Sequence, residues 1–139
     1  MKYSEAKWIL EEFDGDRTII ENIENGETNF YSNDDCYRFI QSDNIDDVMR
    51  DELLCDEYLL GGFNASFISE ITGLDVSVIE KGQSADNYEL LGALMALHIE
   101  EVIDLYVSYD GYGHHFASYD GDENEVTING NLWYYFKVN

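Results

Sequence analysis

Carboxylate side chains carry most of the chemistry that this sequence can offer. The chain has 30 Asp and Glu residues against 7 Lys and Arg, which gives a formal net charge of −23 over 139 residues. Repulsion of this size disfavours a compact state, and a net charge of magnitude about 2–8 already keeps a small domain soluble. The excess therefore indicates that the carboxylates bind a positively charged partner. Two segments hold the candidate partner-binding residues: Asp43, Asp46, Asp47, Asp51, Glu52, Asp56, Glu57, Glu100, Glu101 and Asp104.

The segment from Asp43 to Glu57 contains seven acids and the single base Arg50. On a helix, Asp47 and Asp51 lie one turn apart on the same face, and their repulsion costs roughly 0.2–0.5 kcal/mol of helix stability. Arg50 can pair with Asp46, which lies one turn before it. We expect the remaining acids of this segment to be largely uncompensated, namely Asp47, Asp51, Asp56 and Glu57.

The three histidines and two cysteines are the candidates for catalysis or metal binding. His114 and His115 are adjacent and, on a strand, would point to opposite faces, so they cannot readily share a metal ion. His98 lies among apolar residues, where packing is its usual role, and the two cysteines have no paired spacing. We therefore expect no catalytic residues, no metal and no cofactor. A small enzyme or metal-binding protein that uses these histidines and a carboxylate is an alternative.

Residues Asp120 to Glu125 resemble the start of an EF-hand calcium loop, with acids at its first and third positions. The sixth position is Glu125 instead of glycine, and the twelfth is Asn131 instead of glutamate. The flanking residues have the pattern of strands. We interpret the segment as a solvated turn.

The segment from Ser69 to Lys81 resembles the helix-turn-helix of bacterial repressors, with Gly73 at the turn. A DNA-reading helix needs polar donors and positive charge, whereas the second helix here carries Asp75, Glu80 and only one lysine. Nucleic-acid binding also requires a basic footprint that displaces phosphate counterions. We expect a plain helical corner and no direct contact with nucleic acid.

Apolar run length, charge and cysteine content argue against a membrane protein and against a secreted protein. The longest apolar run, from Leu90 to Leu97, is far shorter than the roughly 20 residues of a membrane span, and the negative charge repels anionic lipid. The first residues lack the apolar core of a signal peptide. The two cysteines, Cys36 and Cys55, do not form a paired-cysteine motif, which favours a reducing compartment. We expect a cytoplasmic location, which is the host cytoplasm for a phage-encoded chain.

Length and apolar content predict a single folded domain over residues 1–139 of the α+β class, a helical bundle followed by a small three-stranded antiparallel sheet. Aromatic residues make up 14% of the chain, which favours a packed core over disorder. Helices are predicted over residues 4–13, 19–26, 36–40, 45–60, 65–72, from 75 onward, and over 85–107. Strands are predicted over residues 114–119, 125–128 and 132–138, with a short strand or a loop over 29–31.

Two of these predictions rest on specific signals. Asn129-Gly130 is a strong hairpin signal between the last two strands, which should pack on the helices through Trp133, Tyr135 or Phe136. The predicted helix over 85–107 is apolar nearly all round its middle, because Leu90, Leu94 and Leu97 add to its inner face. We expect that helix to be central and buried.

In size, charge and lack of catalytic motifs, the whole chain resembles the DNA-mimicking anti-defence proteins of phages and mobile elements, including antirestriction and anti-CRISPR proteins. The resemblance implies a non-enzymatic inhibitor that occupies the DNA or RNA channel of a basic defence complex or nuclease. An immunity protein or antitoxin that covers a basic nuclease toxin is the second interpretation. Salt adaptation is the alternative source of the acidity, and the sequence has no signal for an oligomeric state.

Overall fold

The computed structural model describes residues 1–139, and it confirms the α+β class. The chain forms two compact units, the first from residues 1–45 and 110–139 and the second from residues 46–109. None of the helices is both long enough and apolar enough to cross a membrane. The helices and strands, in chain order, are α1 (Tyr3–Glu12), α2 (Arg17–Glu24), β1 (Asn29–Tyr31), β2 (Tyr37–Gln41), α3 (Ile45–Leu54), α4 (Glu57–Gly61), α5 (Ala65–Thr72), α6 (Val76–Ser84), α7 (Tyr88–Ala96), α8 (Ile99–Asp110), α9 (Gly113–Phe116), β3 (Asn124–Ile128) and β4 (Asn131–Lys137).

The sheet of the first unit has four antiparallel strands in the order β1-β2-β4-β3, so the prediction of three strands was wrong. The short strand over 29–31 is present, but the predicted helix over 36–40 is instead β2. Ser32, taken as a helix cap, accepts a hydrogen bond from the Tyr37 backbone N–H (3.0 Å) in the turn between β1 and β2. Pairing with β4, from Tyr37 opposite Lys137 to Gln41 opposite Trp133, places β2 inside the sheet.

The C-terminal hairpin confirms the Asn129-Gly130 signal, since both residues have positive φ (55° and 77°), as a two-residue hairpin turn requires. The predicted strand over 114–119 was wrong, because residues 113–116 form the short helix α9. Its first residue, Gly113, lies so close to the chain that a Cβ there would be 2.3 Å from the Gly121 carbonyl oxygen. Only glycine fits at this position, and the helical turn that begins there places the Phe116 side chain in a buried position.

The core of the first unit lies between the sheet and helices α1 and α2. Trp133 is 3% exposed and belongs to this core, as predicted, while Tyr135 packs against it and Phe136 is buried with Phe116 on the other face of the sheet. The side chains buried in the core cluster are Ile9, Phe13, Ile19, Ile23, Phe39, Ile128 and Trp133.

Helices α3 to α8 account for nearly all of the second unit, and its two long predicted helices are both interrupted. The helix predicted over 45–60 ends at Leu54, and Asp56 then caps α4 by accepting a hydrogen bond from the Leu59 N–H (3.0 Å). Helices α4 and α7 are in backbone contact. A Cβ on Gly92 would lie 2.1 Å from the Glu57 carbonyl oxygen, so only glycine fits there.

The helix predicted over 85–107 is also two helices, α7 and α8, with the break at Leu97 and His98. The prediction that this helix is central and buried holds only for one side of α7. Leu91 and Met95 are buried, whereas Leu90 and Leu97 are 63% and 79% exposed. The reason is that α4 packs closely along one side of α7 and no element covers the opposite side.

Candidate acidic binding surface

The predicted partner-binding residues are accessible. Nine of the ten have exposed side chains, and only Glu52 is partly buried. Asp43 lies in a 3-10 turn, Ser42–Asn44, in the first unit. The other nine lie in the second unit, on or next to α3, α4 and α8. Most of the predicted partner-binding acids therefore lie in the second unit, which has 14 carboxylates and only the two bases Arg50 and Lys81.

Arg50 joins the two acidic segments that the sequence analysis treated separately. Its guanidinium donates to Asp47 Oδ1 (2.6 Å) and forms a two-point contact with Glu100 (2.6 and 2.9 Å to Oε1 and Oε2). Asp47 was predicted to be uncompensated, and that prediction was wrong. Because Glu100 is the second residue of α8, the carboxylates of α3 and of the start of α8 form one neighbouring set.

The contact between Arg50 and Glu100 shifts the pKa values of both groups so that each stays charged. The hydrogen bonds from Arg50 hold the pKa of Glu100 below its usual range, and the two carboxylates raise the pKa of Arg50 further above neutrality. Both groups are therefore charged throughout the neutral pH range. Arg50 is engaged with two acids, so it does little to neutralise the rest of the surface.

A shallow groove lies between α5 and α8. Three carboxylates (Glu70, Glu101 and Asp104) and Ser108 line it, and Ile71 and Leu105 form its apolar part. An aliphatic stem that ends in a positive charge, as in lysine or arginine, matches this lining, because the stem covers the apolar part and the charge meets the carboxylates.

Glu70 is the residue of this groove that sequence analysis missed. It lies on α5, inside the segment that resembles a helix-turn-helix, and its carboxylate accepts a hydrogen bond from the Tyr109 hydroxyl (3.0 and 3.3 Å to its two oxygens). This hydrogen bond raises the pKa of Tyr109. No local signal separates Glu70 from other surface acids, because its groove partners are about 30 residues away in the sequence.

The helical corner predicted around Gly73 is confirmed. Gly73 has φ of 77° and ends α5, and the Ser69 hydroxyl donates to the Leu74 carbonyl (2.7 Å) to hold the turn. On α6, Lys81 and Glu80 are both exposed, so the single positive charge stands next to a negative one. The expectation that this corner does not bind nucleic acid remains a prediction.

The histidines and cysteines are dispersed. His98 is exposed, with its Nδ1 3.9 Å from Glu101 Oε1, and His114 and His115 lie on α9 of the first unit instead of on a strand. Both cysteines are free thiols, and partial burial together with Asp34 raises the pKa of Cys36. No three His, Cys, Asp or Glu side chains are placed to hold a metal ion.

The loop over 120–125 has the hydrogen bonds of a turn. The Asp120 carboxylate accepts from the Asp122 N–H (3.0 Å), and the Glu123 carboxylate accepts from the Tyr112 N–H (2.9 Å). The Asp120 carboxylate therefore bonds to the backbone of the loop itself, and the Glu123 carboxylate ties the loop to the backbone at Tyr112. This fits the interpretation of the segment as a turn.

Comparison of the chain with protein-family models, with curated proteins and with solved structures gives no match. The functional inference therefore rests on the charge, the exposure and the geometry of the chain's own residues. Of these, the arrangement of acids on α3, α5 and α8 is the most specific.

Proposed function

We propose that this chain is a non-enzymatic inhibitor that binds a basic, nucleic-acid-binding defence protein by imitating the charge of DNA. Antirestriction and anti-CRISPR proteins are the types that it resembles in composition. Such an inhibitor acts in the cytoplasm where its target works, which is the host cytoplasm for a phage-encoded chain. It needs no cofactor and does not itself contact nucleic acid or membrane.

The observation that carries the proposal is the fixed position of exposed acids on helices. Glu100 and Asp104 are four residues apart on α8, about 6 Å along the helix axis. Successive phosphates of one DNA strand are about 3.4 Å apart along the duplex axis, so this separation is close to that of every second phosphate. Helical acids of this kind need little reorganisation to meet a channel that is lined for DNA.

The groove between α5 and α8 supplies the second element of the proposal. Its lining combines three acids with the apolar side chains of Ile71 and Leu105, which favours long basic side chains over free cations. A basic channel projects lysine and arginine side chains of this type toward phosphates. The expected role of the groove is to hold one such side chain of the target.

Competition with DNA tests the proposal. A labelled duplex is bound to a purified restriction enzyme or CRISPR effector, and the chain is added until the DNA is displaced. We expect displacement by the natural chain and displacement that is weaker by tenfold or more with Glu70→Gln/Glu101→Gln/Asp104→Asn. A matched control, Glu21→Gln/Glu27→Gln/Glu125→Gln, removes three exposed acids of the first unit and should displace DNA almost as well as the natural chain.

Two results would contradict the proposal. If the groove variant and the control variant lose the same ability to displace DNA, net charge alone explains binding, and the groove is not a specific binding surface. If the chain binds a nuclease without displacing its DNA, the immunity-type interpretation replaces channel mimicry.

A further inference from the structure

Helix α7 presents an apolar face to solvent. Leu90, Ala93, Leu94 and Leu97 follow the i, i+3, i+4, i+7 spacing that places side chains on one side of a helix. Leu90 and Leu97 are 63% and 79% exposed, Ala93 is exposed and Leu94 is partly so. We call these four residues the α7 apolar face.

The face is open because the rest of the unit packs on the other side of the helix. Gly92 and the Tyr88 backbone contact α4, and Leu91 and Met95 are buried. Positions 88, 91, 92 and 95 lie opposite the α7 apolar face on a helical wheel. Single exposed leucines are common on protein surfaces, whereas four apolar residues on one helix face in so acidic a unit form a strip on which an apolar segment can pack.

Acidic residues flank the α7 apolar face at both ends. At the start of α7, Glu89 is exposed, and its charge and its hydrogen bond, together with Asp86, raise the pKa of the Tyr58 hydroxyl. Beyond the other end, Glu101 of α8 is exposed, whereas Glu100 next to it is already paired with Arg50. A segment that covers the leucines must therefore bring positive charge to both ends of the strip.

We propose that the α7 apolar face docks an amphipathic basic helix of the partner, with apolar residues on the leucines and Lys or Arg side chains toward the flanking acids. The inference rests on the proposed function and specifies how the basic partner is held. A second copy of the chain fits poorly, because it would bring another −23 charges to the same place. An anionic lipid surface is disfavoured by the same repulsion.

The test uses a synthetic helical peptide of about 18 residues, with Leu at i, i+3, i+4, i+7 spacing and Lys elsewhere. A scrambled peptide of the same composition has the same charge but no apolar side. We expect the patterned peptide to bind the natural chain at least tenfold more tightly than the scrambled one. The double variant Leu90→Gln/Leu97→Gln should lose that preference and keep the weak binding of the scrambled peptide.

The control variant Val76→Gln/Val78→Gln changes two exposed apolar residues on α6 and should keep the preference. Equal binding of the two peptides to the natural chain would overturn the inference while leaving the charge-based function intact. Absence of binding by either peptide would count against both proposals. In sedimentation, a dimer that disappears in the leucine variant would overturn the inference in favour of self-association.

Discussion

Replacement of Gly92 by alanine tests the packing on which the α7 surface depends. Alanine is the better helix former by about 1 kcal/mol, so propensity alone predicts stabilisation. The structure predicts the opposite, because the added Cβ would lie 2.1 Å from the Glu57 carbonyl oxygen and 2.8 Å from its carbonyl carbon. A backbone atom cannot rotate away, so α4 and α7 must separate by about 1 Å. Overpacking of this kind typically costs roughly 1–3 kcal/mol and occasionally more.

Gly82→Ala is the matched control. Gly82 is also inside a helix, α6, but its nearest neighbour for a new Cβ is the end of the Leu91 side chain at 3.4 Å, which can move slightly. We expect Gly92→Ala to lower the free energy of unfolding, measured in urea, and Gly82→Ala to change it little or raise it by up to about 1 kcal/mol. If the two variants are equally stable, the close contact of α4 and α7 is not present in solution. A single shared transition in all three proteins is expected for the predicted single domain.

Further predictions concern charge. The free energy of unfolding should rise between low and moderate sodium chloride and then level off, because a Debye length of about 8–10 Å near physiological ionic strength already screens the repulsion among the carboxylates. A free energy of unfolding that keeps rising into molar salt would indicate salt adaptation. The pKa of Glu100 is lowered in the fold, so its contact with Arg50 stabilises above the usual glutamate pKa and is lost as pH falls through the lowered pKa. The stability difference between the natural chain and Glu100→Gln should therefore be largest near neutral pH and disappear in acid, and a difference that grows in acid would refute this sign. An electrophoretic shift with duplex or single-stranded DNA should be blank at moderate salt, and a shift abolished by Lys81→Gln would show that the helical corner binds DNA.

Local signals in the sequence account for the elements that were predicted correctly. Asn129-Gly130 and the aromatic-rich runs beside it were sufficient for the last hairpin, and Asn64 and Gly73 bound α5 as expected. These signals act within a few residues, so they do not depend on what the rest of the chain does.

The elements that were missed depend on distant parts of the chain. Strand β2 has helix-capping residues before it, yet it pairs with β1 on one side and with β4, about 95 residues later, on the other. The apolar circumference of α7 predicted burial, because periodicity cannot reveal that α4 covers only one side. The break after α7 has no glycine or proline to mark it.

In the candidate site, too, local features could be predicted from the sequence, and contacts between distant residues could not. Exposure of the acids followed from their charge alone, since burial of an unpaired carboxylate is too costly. The contact between Arg50 and Glu100 joins residues 50 positions apart, and the acidic groove partners of Glu70 are 31 and 34 positions away from it. Spacing on one helix predicted that Arg50 pairs with an acid one turn before it, and Asp47 lies there; the packing of α3 near α8 adds Glu100, which spacing could not reveal.

The association rate with a DNA-binding defence enzyme, measured at two ionic strengths, is the decisive measurement for DNA mimicry. Charged surfaces that meet a complementary channel mainly raise the association rate, and salt reduces that gain. We expect fast association at low salt and a steep fall in the rate at physiological salt. At low salt, the rate for Glu70→Gln/Glu101→Gln/Asp104→Asn should be at least tenfold lower. The first-unit control, Glu21→Gln/Glu27→Gln/Glu125→Gln, should stay close to the natural chain. An association rate that is independent of salt and unchanged in the groove variant would contradict the claim that these acids imitate DNA.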